Sequence, residues 1–270
     1  MLGLDVRLIA SFCLAIAFDV AMPFLLARWV RRRLGFARKT LEVGALAFAL
    51  SQLLTRVPAV QVIQYQLREE LKSSQTLLTL WIVALSLSAG VFEETARFIA
   101  FKYPLKDFRR WRDAVGFGIG HGGLESAVLV GGMAIIGLIN VVALSRLDPS
   151  TLPLPAEQLE QIRAAKAQVA GLRWWEPLLG AYERVGAMAF HIAMSVLVLQ
   201  RFLRDQLRWY WLALGLHTLF NLLAALVARA AGNMAAEGVV TVFALLSLWI
   251  ILRLREEGEG DGPTTEPVLR

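Results

Sequence analysis

The chain has 270 residues, 57% of them hydrophobic and only 19% charged, with a mean hydropathy of +0.55. A soluble globule of this length cannot bury so many apolar side chains, and they come in long blocks, so the composition describes an integral membrane protein. A net charge of +6 would suit nucleic acid, but Lys and Arg cluster between the apolar blocks, where they set orientation in a bilayer, and no nucleic-acid partner is expected.

A helix needs about 20 apolar residues to cross the hydrocarbon core. Seven blocks approach or exceed that length, at 8–30, 41–63, 77–101, 114–144, 178–200, 209–229 and 236–252. The predicted fold is therefore all-α, a polytopic bundle of about seven transmembrane helices, with 1–255 as one membrane domain and 77–229 as its core. Block one contains the single cysteine, Cys13, which excludes an intrachain disulfide and a cysteine-rich metal site. It lacks a basic leader and is followed by Arg31, Arg32 and Arg33, so it is read as a retained anchor and not a signal peptide. Block two is weaker, because Glu42, Thr55, Arg56 and Pro58 crowd its ends.

Basic residues concentrate in alternating connections: Arg31 to Lys39, Lys102 to Arg112, Arg201 to Arg208, and the start of the tail at Arg253 and Arg255. Cytoplasmic loops retain such residues, which predicts an external N-terminus, a cytoplasmic C-terminus and a multi-pass location in a bacterial cytoplasmic membrane. The external segment 145–176 enters through Pro149, Pro153 and Pro155. Its stretch Ala156 to Val169 is amphipathic and is expected as an interfacial helix over the site. Residues 256–270, rich in Gly, Glu, Thr and Pro, are expected to be a disordered cytoplasmic tail. No oligomeric state is assigned.

An ionisable side chain at a membrane helix centre costs about 2.5–3.5 kcal/mol on the mild insertion scale, so each needs a partner or a role. Span three carries Glu93, Glu94 and Arg97; span four, His121 and Glu125; span five, Glu183, Arg184 and His191; span six, His217 and Asn221. All three histidines of the chain are in this set. At 1.5 Å rise per residue, Glu93, His121, His191 and His217 each lie roughly 10–14 Å from the cytoplasmic end of their helix, so they can meet in one polar chamber. Arg97 follows Glu93 by four residues and Glu94 by three, so one guanidinium can address either carboxylate. Phe117, His121 and Glu125 form an i, i+4, i+8 row, and His217 with Asn221 repeats the spacing. The glycine-rich run Gly116 to Gly123 allows a close approach, either by an extended substrate or by packed helices.

Neutral imidazoles with a carboxylate or amide are the donors of a catalytic zinc site. His121, His217 and His191 are the first candidates to hold a divalent metal, Zn2+ by preference, with Glu125 and Asn221 next. A carboxylate outside the ligand set can act as general base towards water, and Glu93 and Glu94 are the candidates, with Arg97 holding one of them charged. The zincin, serine and aspartyl templates fail: there is no His-Glu-x-x-His run or Gly-x-Ser-x-Gly elbow, and Asp19 has no aspartate partner. Ser126 and Ser195 are expected to bond their own helix backbones. Glu183 and Arg184 read as a structural ion pair, with a brace for the site as the alternative. Asp19, near Pro23, reads as an interhelical hydrogen-bond partner or part of a kink.

Glu93-Glu94-x-x-Arg97, Phe117-x-x-x-His121 and His217-x-x-x-Asn221 resemble the three motifs of the CAAX-protease and bacteriocin-processing superfamily of intramembrane peptidases. The fuller pattern Gly118-x-Gly120-His121-Gly122-Gly123-x-Glu125, followed by Glu183-Arg184 and His191, is similar to its YhfC branch of membrane metalloproteases. The resemblance covers roughly 91 to 221. It implies hydrolysis of a membrane-embedded or lipid-anchored peptide, with Glu93 or Glu94 activating water and His121, His217 and Asn221 binding a metal or steadying the tetrahedral intermediate. Here only Thr95 and Ala96 separate the second Glu from the Arg, where prenyl-protease relatives have three residues, so either Glu remains open as the base. His191 is an addition to the three-motif pattern and favours a metal.

Three other readings compete with an endopeptidase. A proton- or metal-ion-coupled transporter would use the same residue types, but its groups should span the bilayer instead of gathering at one level. A haem protein with His191 and His217 as axial ligands leaves the Glu-Glu-x-x-Arg motif unused. A purely structural membrane protein gives none of these groups a task.

Overall fold

A computed structural model describes residues 5–255. Helices account for the regular structure, and among the described residues there is no strand. They are α1 (Val6–Leu34), α2 (Arg38–Gln66), α3 (Arg68–Ser73), α4 (Gln75–Lys102), α5 (Trp111–Arg146), α6 (Ala156–Gly171), α7 (Glu176–Leu203), α8 (Arg208–Ala231) and α9 (Asn233–Arg253). All but α3 and α6 are long and apolar enough to cross a membrane, which gives the seven expected spans. Each runs past its apolar block at one or both ends, because the helix continues where polar side chains meet headgroups. Arg31, Arg32 and Arg33 of α1, Lys102 of α4, Arg201 of α7 and Arg253 of α9 occupy final turns, where a cation complements the helix dipole.

Three features were not expected. α3 is a short extra helix with Glu69 and Glu70 in its first turn and Lys72 in its last, charges placed to suit the dipole. α2 and α5 each contain a π-helical turn, at Ala49–Arg56 and Glu125–Val130. Such turns widen the helix by one residue and re-aim the side chains that follow. The expected tail, 256–270, lies outside the described residues.

The described residues fall into two compact units. One comprises residues 5–22 together with Ser126–Arg184. Within it, α6 has Leu159, Ile162, Ala165, Lys166 and Val169 half-buried along one stripe, the amphipathic pattern of the sequence, and Lys166 donates to the Leu147 carbonyl. Ser126 departs from expectation: its hydroxyl donates to Asp19 O, 2.9 Å away on α1, and not to its own backbone. The cause is Pro23, which has no N–H for the carbonyl four residues before it, so Ser126 supplies the missing donor. Glu183 and Arg184 do form an ion pair, at 2.5 Å.

The other unit comprises Pro23–Glu125 and residues 185–255. Its centre is α7, in which every residue from Gly186 to Gln200 except Ala189 is buried. Four helices touch it, α4 through Arg97, α5 through Gly118, α8 through His217 and α9 through Phe243, and α2 joins them in a circuit. α2 packs on α5 and α4, α4 on α8, and α8 on α9, while Trp111 of α5 closes the circuit by donating its indole N–H to Ile251 O of α9 at 2.9 Å. The glycine run makes the closest contacts. A Cβ on Gly116 would stand 2.5 Å from Thr40 Oγ1 and one on Gly120 would strike Leu41 O, both on α2. On the opposite face, a Cβ on Gly118 would lie 2.5 Å from Ile192 Cα and one on Gly122 2.9 Å from His191 Cδ2, both on α7. These glycines are therefore taken up by packed helices, and the substrate approach also weighed from the sequence finds no room at them.

Candidate metal and proton-transfer site

Four helices of the second unit bring the ionisable groups together. α4 supplies Glu93, Glu94 and Arg97, all buried; α5 supplies His121 and, where its π turn opens, Glu125; α7 supplies buried His191; α8 supplies buried His217. Asn221 sits one turn beyond His217 and is half-buried. The common depth expected from helix rise is realised as direct contact.

Glu94 is held from two sides. Its Oε1 accepts from Arg97 Nη1 at 2.7 Å and from His217 Nδ1 at 2.6 Å. A carboxylate partner at Nδ1 makes that the protonated nitrogen, so the His217 Nε2 lone pair is free to face inward. It points towards Glu93 Oε1, 3.7 Å away. His191 is fixed in the opposite tautomer. Arginine can only donate, so Arg97 Nη2 at 2.7 Å makes Nδ1 the acceptor, and Nε2 lies 2.5 Å from Glu125 Oε2. His191 thus has a charged partner at each nitrogen.

Glu93 stands in the middle. Its Oε2 is 2.9 Å from His121 Nε2, 3.5 Å from Arg97 Nη2 and 3.7 Å from His191 Nδ1, while Oε1 faces His217. The sequence left the two glutamates equivalent; their surroundings are not. One is clamped by a guanidinium and an imidazole N–H, and the other is exposed to three imidazoles with no more than one close bond. Aromatic rings wall the chamber: Phe48 stands edge-on to His121 with centroids 5.3 Å apart, Phe117 stacks on it at 6.0 Å, and Phe190 meets His217 at 5.2 Å. Apolar walls lower the local dielectric and strengthen every polar contact inside. Phe48 was not anticipated, because an aromatic side chain inside an apolar block carries no sign of which neighbour it meets.

One donor atom from each of Glu93, His121 and His191 lies within 4.8 Å of the other two. Two imidazoles and a carboxylate at that separation match the donor chemistry of a borderline cation such as zinc. Of the expected ligands, His121 and His191 enter this group; Glu125 lies behind His191, and His217 borders it across the Glu93 carboxylate. Glu93, expected only as a base, joins the donors. Sequence spacing does not reveal this, since the burial and rotation of α4 decide it.

The YhfC intramembrane metalloprotease family matches residues 18–244. The chain belongs to that family. The matched region contains every residue of the site. The uncharacterized membrane protein YhfC of Bacillus subtilis (strain 168) is 30% identical over 245 residues, covering 89% of this chain and 93% of that protein. No solved structure matches. This YhfC-family chain is an integral, multi-pass membrane protein, as its seven apolar helices and its membrane-protein relative both require.

Proposed function

We propose that the protein is an intramembrane endopeptidase that hydrolyses a membrane-embedded or lipid-anchored peptide, with its N-terminus outside and its C-terminus inside a bacterial cytoplasmic membrane. The observation that carries this reading is the asymmetry of the glutamate pair. Glu94 is locked by Arg97 and His217, and Glu93 is surrounded by imidazoles.

Glu93 is the general base. Its Oε1 and the His217 Nε2 lone pair are two acceptors facing one another at 3.7 Å. A water offered to them has its protons drawn by both, and Glu93 Oε1 takes the proton as the oxygen attacks the peptide carbonyl. Glu93 then returns that proton to the departing amide nitrogen. Glu94 and Arg97 keep His217 in the tautomer that leaves Nε2 unprotonated, which makes them positioning residues. Asn221 is one turn from His217 and has an amide N–H to offer the developing oxyanion. Phe48, Phe117 and Phe190 exclude bulk water.

Glu93 through Oε2, the oxygen beside both rings, with His121 and His191 would hold a divalent metal, Zn2+ by their donor chemistry, with Arg97 Nη2 giving up His191 Nδ1 to it; Glu93 then combines ligand and base, with Oε1 left to take the proton. Bound there, it would supply Lewis acidity for the scissile carbonyl. The gathering of ionisable groups around one carboxylate favours hydrolysis over a transport path, which needs relays through the thickness of the bilayer.

The test uses purified protein in lipid vesicles with a pool of membrane peptides, read by mass spectrometry, alongside metal content by elemental analysis. Glu93→Gln should lose cleavage at least a hundredfold while keeping its unfolding temperature, as general-base removal commonly does. His121→Ala and His191→Ala should each lose bound metal. Undiminished cleavage in Glu93→Gln would remove the assignment of the base, and metal content unchanged in both histidine variants would remove the metal site.

A further inference from the structure

α2 carries Phe48, Gln52 and Arg56 at four-residue spacing, the last two within its π-helical turn. Phe48 touches the His121 ring, so the row begins at the site and leads away from it along α2. Eight residues put Arg56 at most about 12 Å beyond Phe48, the α-helical rise being the upper limit for a π-helical stretch. There its guanidinium reaches across to α4. Nε donates to Ser88 Oγ at 3.0 Å, Nη2 to Leu85 O at 2.7 Å, and Nη1 back to Gln52 Oε1 at 3.1 Å.

All three partners are neutral. Among the described residues no carboxylate forms an ion pair with Arg56, although the charge of Glu93 acts on it from a distance. A guanidinium has five N–H donors, so two remain for another acceptor. Gln52, only 3% exposed, is in a matching position. Its Oε1 is committed to Arg56, and its Nε2 is buried with no hydrogen-bond partner. A half-buried cation in a membrane helix without a counter-ion and an orphaned buried amide donor are both costly, and both are satisfied by oxygen acceptors. π turns of this kind recur where a helix has been adapted to a task.

We propose that Gln52 and Arg56 form a carboxylate-binding subsite for the peptide substrate. Gln52 Nε2 takes a backbone carbonyl beside the carboxylate, and Arg56, hydrogen-bonded to the same amide, takes the carboxylate. At about 3.3 Å per extended residue, that carboxylate belongs no more than about four residues from the bond cleaved. It is either an Asp or Glu side chain or the free C-terminus of the substrate. The proposal rests on the peptidase reading for its account of why a peptide lies there.

The experiment measures retention of short apolar peptides by the Glu93→Gln protein in nanodiscs, which separates binding from turnover. Three matched forms are used: internal Asp with an amidated C-terminus, internal Asn with a free C-terminus, and internal Asn with an amidated C-terminus. One acidic form should be retained about tenfold better than the neutral form, the worth of one charge-assisted hydrogen bond, and which one identifies the source of the carboxylate. Arg56→Gln in the same background should abolish the preference, Arg56→Lys should keep most of it, and Arg56→Glu should transfer it to peptides carrying Lys. Unfolding temperatures separate loss of the subsite from loss of the α2–α4 bridge, and Arg56→Lys serves if the others fail to fold. Equal retention of all three forms by protein with Arg56 intact would overturn the subsite. Acid-selective retention together with no cleavage by the unaltered protein would remove the peptidase reading and leave the subsite standing.

Discussion

Replacing Glu94 by alanine would leave Arg97, 0% exposed, without the carboxylate that now lies 2.7 Å from Nη1. Removing one partner of a buried pair typically costs about 3–5 kcal/mol, and here the remaining charge keeps only Glu93 Oε2, 3.5 Å from Nη2, which puts the loss at the lower end. Glu94→Ala should therefore lower the thermal unfolding midpoint in detergent more than Glu93→Ala, and Glu94→Gln should recover part of the loss by accepting from His217 Nδ1. The i, i+3 and i, i+4 spacings allowed Arg97 to serve either glutamate, and only rotation of α4 against α8 selects Glu94. Ser126 shows the converse limit. Its preference for its own backbone is a sound local rule, overruled by a proline more than a hundred residues earlier. A double-mutant cycle tests that account. Ser126→Ala alone should cost about 1–2 kcal/mol by orphaning the Asp19 carbonyl, and much less in a Pro23→Ala background, where an N–H is restored.

Among the helices, the consequential contacts are those made by glycines. Gly120→Ala would push a methyl into the Leu41 backbone and separate α5 from α2. Overpacking of this kind costs about 1–3 kcal/mol. Gly215→Ala on α8 and Gly132→Ala on α5 have nothing within 4 Å of the new carbon, and each should be neutral or stabilising through the roughly 1 kcal/mol helix preference of alanine over glycine. Unfolding midpoints of the three variants check the ordering. The sequence showed that something approaches the run closely, a substrate or a packed helix, and the structure selects the helices. It did not show that alternate glycines serve opposite neighbours, α2 on one side and α7 on the other, because that depends on lateral order. The π turns were equally hidden: an eight-residue row reads as i, i+4, i+8 whether or not the helix widens within it.

At the scale of the whole molecule, hydropathy was sufficient for the number and approximate ends of the spans, because the bilayer imposes one length on all of them. The circuit of five helices around α7 was not legible, since lateral neighbours are set by contacts between residues far apart in sequence. The site lay between these cases. Rise per residue placed its groups at one depth, and only the circuit brought them within reach of one another. The central helix has a further effect. Its apolar stretch is 72% buried, so His191 rides on a rod almost insulated from acyl chains, whereas the corresponding stretch of α4, which carries Glu93, is 17% buried and borders lipid along most of its length. A thinner or thicker membrane acts on lipid-facing helices by changing their tilt, and leaves a sheathed one nearly in place. Turnover in vesicles of graded acyl-chain length should pass through a sharp optimum, with overall unfolding temperature varying little across the series; a flat profile would mean that α4 and α7 move as one piece. With such an optimum the bilayer would be a tuning element, setting how far Glu93 stands from His191.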